Sequence, residues 1–274
     1  MNLFQQKAFK RFIIRCILIS GFALSSSLLC AHESWIEPEQ WTLNPNETLT
    51  AHIKVGQHFK GDSSPFIKDW FFRFERHAYN YHAAVQGYDG DLPAFQAPLK
   101  KQGLHLLLYH STPDTVYYSK FEKFEKFLKR EGLQSILKEH QDRGYPDTGF
   151  SETYIRCSKS LVHVQGKSDF KDFYTGMPLE IVASFNPYRL KTKQAKLQLL
   201  WKGIGIEAIQ VRVFHQQLKT SETEYITNQK GEVTVDLKNP GNYLFNAVHM
   251  TDGAFNRGEL WTSYWASLTF QIPE

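Results

Sequence analysis

The sequence predicts a mainly β protein: two β-sandwich-like halves, of immunoglobulin or transthyretin-like type, separated by a short helical insert. Three observations carry this. From Met177 onward, short β-branched and aromatic runs ("LEIVAS", "KLQLLW", "IQVRVFHQ", "EVTVDL", "NYLFNAVHM", "SYWASLTFQI") are punctuated by turn signals such as "NQKG" and "NPGN". A first set of strand-like runs lies before residue 119. Between the two sets, one stretch alone carries a clear helical period. The 21 Phe, 13 Tyr and 6 Trp supply large side chains for the cores of such a fold.

The first half is expected over residues 32–118. From Trp41 to about Val55 the chain alternates, with Leu49, Ala51, Ile53 and Val55 on one face and Thr50, His52 and Lys54 on the other. "VGQHFKGD" reads as a turn bracketed by Gly56 and Gly61. "DWFFRFERH" and "HLLLYH" read as further strands. The helical insert and its connecting loop are expected over 119–153. In "SKFEKFEKFLKREGL", Ser119 and Glu122 have the spacing of a capping box, and Phe121, Phe124, Phe127 and Leu128 form an apolar stripe. Gly132 is placed to end the helix, and Leu133–His140 reads as a second short one. The stripe predicts packing. The second half is expected over 154–274, and no repeat of fixed period interrupts it.

Residues 1–31 read as a secretory signal. Met1–Arg15 is basic, Cys16–Leu29 is an apolar run too short to cross a bilayer comfortably, and Ala31 suits the residue before a cut. An uncleaved anchor and lipid attachment at Cys30 are the alternatives. Lys7, Lys10, Arg11 and Arg15 account for the whole formal charge of +4, so the remainder is neutral and nucleic-acid binding has no compositional support. Cleavage leaves Cys157 as the one cysteine, which excludes an internal disulfide and predicts a small buried side chain. The six tryptophans, Trp35, Trp41, Trp70, Trp201, Trp261 and Trp265, predict core positions on a β-rich chain before a sugar platform.

The motifs of phosphate-binding loops, nucleophile elbows, CxxC pairs and HExxH zinc sites are absent. That leaves the 11 histidines, all at or after position 32. Cleavage after Ala31 would free the α-amine of His32. Amine and Nδ1 of one residue can then chelate a metal, and the amine titrates near neutrality. This nitrogen pair suits Cu(II) and Ni(II). A third nitrogen is sought at His58, in the glycine-bracketed turn, and at His249, on the Tyr243, Phe245, Ala247 face of its strand. His77 and His82 bracket "AYNY" and lack chelate spacing along a single strand.

"AHESWIEP", "VGQHFKGD", "FEKFLKREGL", "YIRCSKSLVHV", "PLEIVASFNPYRL", "NQKGEVTVDLKNPGNYLFNAVH" and "SYWASLTF", in this order, resemble the exported domain-of-unknown-function family 4198 over nearly the whole mature chain. The resemblance implies a β-rich exported protein linked to periplasmic cobalt or nickel transport. It picks out His32, His58 and His249 as metal ligands, a divalent transition-metal ion (nickel or cobalt, with copper as chemical rival) as the bound species, and a membrane metal transporter as a second partner. The expectation is therefore a periplasmic, non-enzymatic metal-binding protein taking part in nickel or cobalt uptake. Two other classes stand beside it: a copper protein or copper oxygenase with an N-terminal histidine brace, and a metal-free structural or adhesive module.

Overall fold

The strand Thr48–Gln57 shows the rule by which this chain folds. Leu49, Ala51 and Ile53 are buried while the residues between them are not, the period-two pattern of a strand with one face on a core. The computed structural model describes residues 32–218, 222–253 and 258–274. The signal peptide expected over 1–31 lies outside the described residues. In chain order the strands are β1 (Glu33–Pro38), β2 (Thr42–Leu43), β3 (Thr48–Gln57), β4 (Lys60–Ser64), β5 (Phe71–Ala78), β6 (Tyr81–Ala84), β7 (Phe95–Pro98), β8 (Gly103–Ser111), β9 (Asp114–Tyr118), β10 (Phe150–Val164), β11 (Leu179–Val182), β12 (Gln194–Trp201), β13 (Ile204–Gly205), β14 (Gln210–His215), β15 (Glu222–Ile226), β16 (Glu232–Asp236), β17 (Gly241–Asp252) and β18 (Glu259–Ile272). Helices α1 (Phe121–Arg130) and α2 (Gln134–Asp142) lie between β9 and β10.

The protein is mainly β. Among the described residues a ten-stranded sheet forms the centre, in the order β15-β14-β17-β18-β10-β8-β5-β6, with β2 and β9 paired to β10. Most neighbours are antiparallel, but β10 runs parallel to β2 and to β18, with Cys157 beside Ala266 and Lys159 beside Leu268. Two smaller sheets sandwich this centre. The β11-β12-β13 sheet, with β16, covers one face, where Cys157, Leu161, Phe245, Ala247, Leu268 and Phe270 build the largest core. The β1-β3-β4 sheet, with β7, covers part of the other, where Ile36, Ile53, Phe74, Leu107, Tyr109 and Val162 pack together. The two helices cover the remainder of that second face against Trp261 and Trp265.

The halves expected at 32–118 and 154–274 therefore share one sheet. The expected boundary at 153/154 falls inside β10, because strands from both sides pair through it. Cys157 is free and buried, and burial pushes its thiol up to about 12, so it is an inert apolar side chain there.

The Phe stripe packs as expected: Phe124, Phe127 and Leu128 are buried, with Phe127 stacked on Trp265 at 5.6 Å. The capping box does not form. The helix begins at Phe121 with Lys120 at the N-cap and no side-chain cap, because Tyr118 is still held in the β9–β10 ladder and Ser119–Lys120 are spent spanning from strand to helix. Gly132 ends α1 with φ +73°, and Leu133 N donates to Leu128 O at 2.8 Å, a left-handed stop that glycine makes without strain.

Candidate metal centre

Arg73, Glu75 and His77 sit at alternate positions of β5 and so project from one face of the central sheet. Tyr79 and Asn80 then turn the chain back into β6, Asn80 taking φ +49°, a left-handed conformation that asparagine tolerates. The hairpin register sets His77 opposite His82. Their rings stack with centroids 4.2 Å apart. Both Nε2 atoms lie 3.1 Å from the same oxygen, Glu75 Oε2. His82 is the outward member at 58% exposure, while His77 and Glu75 are mostly covered at 13% and 15%.

Electrostatics sets the protonation state of the group. Arg73 donates Nε to Glu75 Oε1 at 3.0 Å and Nη2 to Oε2 at 2.8 Å. That bidentate bond, with the smaller contributions of both histidines, holds the Glu75 carboxyl down at about 2. Burial pushes His77 below its ordinary value, so its imidazole is neutral at physiological pH. The unbound state thus presents one carboxylate and at least one neutral imidazole, the protonation states that metal ligation requires. Moving the ring proton of neutral His77 from Nε2 to Nδ1 frees its Nε2 lone pair without releasing a proton to solvent.

The site is braced from behind. Arg73 Nη1 donates to Thr175 O at 3.1 Å. Thr175 in turn donates its N–H and hydroxyl to Glu180, and Glu180 pairs with Lys159 at 2.8 Å. Lys159 is fully buried between Glu180 and Asp172, the latter at 2.7 Å. A buried ion triad of Lys159 on β10, Glu180 on β11 and Asp172 in the connection between them therefore fixes the segment against which the hairpin's polar face rests, and Phe173 from that segment lies 5.9 Å from His77, ring to ring.

Among the described residues, Glu75, His77 and His82 form the one group of three such side chains whose donor atoms lie within 4.8 Å of one another. Donor atoms sharing an edge around an ion with bonds of about 2.1 Å lie about 3 Å apart. The two Glu75–histidine separations match that spacing. One carboxylate oxygen with two imidazole nitrogens fits nickel, cobalt, zinc or copper better than calcium or magnesium, which favour oxygen shells. The residues present therefore fit a borderline transition-metal ion.

The three histidines expected from sequence are divided by the central sheet. His249 follows Phe245 and Ala247 on the face covered by the β11-β12 sheet, its ring edge-on to Trp201 at 4.8 Å. His58 lies on the other side, 6.1 Å from Phe214, which alternates away from that core. A strand directs neighbouring side chains to opposite faces, so His58 and His249 cannot close one ligand set. His249 packs its ring against Trp201 on that face, where burial lowers its pKa.

His32 and His58 do share a neighbourhood. Glu33 of β1 stands opposite Gly56 of β3, so His32 precedes a residue paired one step from the Gln57–His58 turn. Gly56 faces Gly61 so closely that a Cβ on Gly56 would meet Lys60 O at 2.1 Å. The turn is a two-residue hairpin with His58 and Phe59 at φ +53° and +58°. Neither is a glycine, and the buried Phe59 ring, edge-on to Trp35 at 5.5 Å, holds that costly geometry. A charge relay connects the two histidines' surroundings: Glu33 pairs with Arg212 at 2.9 Å, Arg212 with Glu222 at 2.6 Å, and Glu222 with His58 Nδ1 at 3.1 Å.

Spacing along a single strand hides the hairpin centre, because its two histidines meet only across the turn. The signal was present in "ERHAYNYH": two histidines five apart with asparagine in the intervening turn meet when the chain doubles back.

The fold is that of a mainly β protein, and among the described residues Glu75, His77 and His82 are a group that could hold a metal ion. Residues 29–251 match the domain of unknown function DUF4198, and the chain belongs to that family. No curated protein matches it. Among solved structures it is similar to the D0-D1 domain of intimin, at 10% identity over 86% of this chain and 96% of that one, with a TM-score of 0.20. It is also similar to the human OSCAR ligand-binding domain, at 11% identity over 85% and 95%, with a TM-score of 0.21. Similarity at that level carries no functional argument.

Proposed function

We propose that the protein is a periplasmic metal-binding protein that holds one divalent transition-metal ion at Glu75, His77 and His82, with nickel or cobalt favoured and copper as the chemical rival. The observation that supports this most is the convergence of two histidine Nε2 atoms, each at 3.1 Å, on one carboxylate oxygen. Arg73 shapes the affinity. A guanidinium beside the carboxylate repels an incoming cation and competes for its oxygen lone pairs. Such a site binds reversibly, as a carrier that hands its ion to a membrane transporter requires, and the half-exposed His82 gives the ion a way in and out. Export rests on the N-terminal sequence.

The test is equilibrium dialysis of the mature protein against Ni(II) or Co(II), beside His77→Ala and His82→Ala. One ion per native chain is expected, with affinity reduced at least about tenfold in each variant. Unchanged affinity in both variants overturns the assignment.

A second arrangement is favoured by one specific observation, the register that sets His32 beside the His58 turn. The freed amine and imidazole of His32, with His58, supply three nitrogens of the brace type. Extending the chain by one residue before His32 removes the amine and no side chain, so it abolishes binding there and spares the hairpin.

A further inference from the structure

A cleft of about 350 Å³ opens between the β1-β3-β4 sheet and the central sheet, on the face opposite the histidine hairpin. Its charged lining residues are Arg156 of β10 and Asp114, at the start of β9. Among the described residues no carboxylate pairs with the Arg156 guanidinium, which lies over the Tyr154 ring at 4.7 Å from its centroid. Tyr154 donates its hydroxyl to Asp114 Oδ2, and the other Asp114 oxygen accepts from Thr115 N at 2.7 Å. Asp114 is thus occupied by internal donors, while the guanidinium keeps N–H groups for a ligand.

The floor carries a second, independent indication. Ser34 of β1 is 3% exposed and lines this cleft, yet its Oγ has no hydrogen-bond partner. A buried hydroxyl without a partner is costly, and here it borders a space large enough to supply one. Beside it Ser111 Oγ accepts from Arg156 N at 2.9 Å, which leaves its hydroxyl hydrogen free to donate. Ser64 adds another hydroxyl at the cleft wall. Trp70 also lines the cleft, and at 51% exposure it departs from the buried position expected of it. It offers a flat carbon face where the cleft meets solvent.

One guanidinium selects an anion, and the nearby Asp114 carboxylate repels a multiply charged one. Three serine hydroxyls select a ligand bearing hydroxyl groups, and the volume lies at the small end of organic-ligand sites. We propose that this cleft binds a small hydroxycarboxylate of single negative charge, with its carboxylate on Arg156, its hydroxyls on Ser34, Ser64 and Ser111, and its carbon face against Trp70. The site is separate from the histidine hairpin and does not depend on metal.

The test is calorimetric titration of the mature, metal-free protein with D-galacturonate, D-gluconate and L-lactate. Galactose supplies the same ring without a carboxylate, and inorganic phosphate supplies an anion without hydroxyl-bearing carbon. At least one hydroxycarboxylate is expected to bind about tenfold or more tightly than galactose and phosphate, and Arg156→Gln is expected to erase that preference. Ser34→Ala is expected to weaken the same ligand several-fold while raising the melting temperature of the ligand-free protein, since it removes an unpaired buried hydroxyl. His82→Ala is expected to leave the binding unchanged. Equal affinity for galactose and the carboxylates, equal affinity for phosphate, or no heat from any carboxylate at about 10 mM overturns the proposal.

Discussion

His77 and His82 stack at 4.2 Å across a two-residue hairpin, and both present Nε2 to one oxygen of Glu75. No residue in that triad is remote in sequence, so the site forms as soon as β5 and β6 pair. Its geometry depends on local register, and the buried triad at Lys159 then fixes what lies behind it.

Arg73→Gln should tighten metal binding. Removing a unit charge about 5 Å from a divalent ion is worth about 1–2 kcal/mol even at the dielectric of water, or roughly tenfold in Kd. Competition titration of Ni(II) between the protein and a chromophoric chelator reads this directly. Weaker binding in the variant would mean that Arg73 serves chiefly to hold Glu75 in place.

A single residue added before His32 should leave the hairpin's affinity for Ni(II) as it is. If the N-terminal chelate also forms, the extension lowers the stoichiometry without touching the hairpin's ion. Loss of all binding on extension would move the primary site to the N-terminus.

Phe124→Ala should destabilise the fold by roughly 3–5 kcal/mol. The ring is fully buried and meets Tyr118 at 5.0 Å and Phe150 at 5.1 Å. Urea unfolding measures the loss, and the folded fraction should keep its metal stoichiometry, because the helices and the hairpin pack on different faces of the central sheet.

Glu152 gives a pH signature. It is fully buried, and burial pushes its carboxyl up to about 7 against the opposing bonds from Ser263 and Tyr118. Between the ordinary carboxyl value and 7, the folded protein holds a proton that the unfolded chain has released. The neutral form's stabilisation is complete in acid and is lost as pH rises through about 7. Relative to Glu152→Gln, the native protein should lose up to roughly 3 kcal/mol between about pH 5 and pH 8. Parallel pH profiles for the two proteins in urea unfolding would contradict this.

The sandwich was legible because alternation is a local property. Leu49, Ala51 and Ile53 announce their buried face, and the strand runs after Met177 appear as β11, β12, β14, β16, β17 and β18. The shared sheet was not legible, because the parallel pairing of β10 with β18 joins segments about a hundred residues apart and leaves no spacing signal. The same limit governed the site. His249 was read correctly as following the Tyr243, Phe245, Ala247 face, but which layer covers that face is a tertiary fact. His77 and His82 required only hairpin register, and "AYNY" carries a weaker turn signal than Asn-Gly or Asp-Gly. Trp70 was expected in a core on composition, whereas its position before β5 leaves the ring at the mouth of a cleft.

The most direct measurement is anomalous diffraction from a crystal of the mature protein equilibrated with Ni(II). A strong peak is expected beside Glu75 Oε2 and the Nε2 atoms of His77 and His82, lost in His82→Ala. A peak at His32 and His58 with none at the hairpin, or no ordered ion at either place, would contradict it.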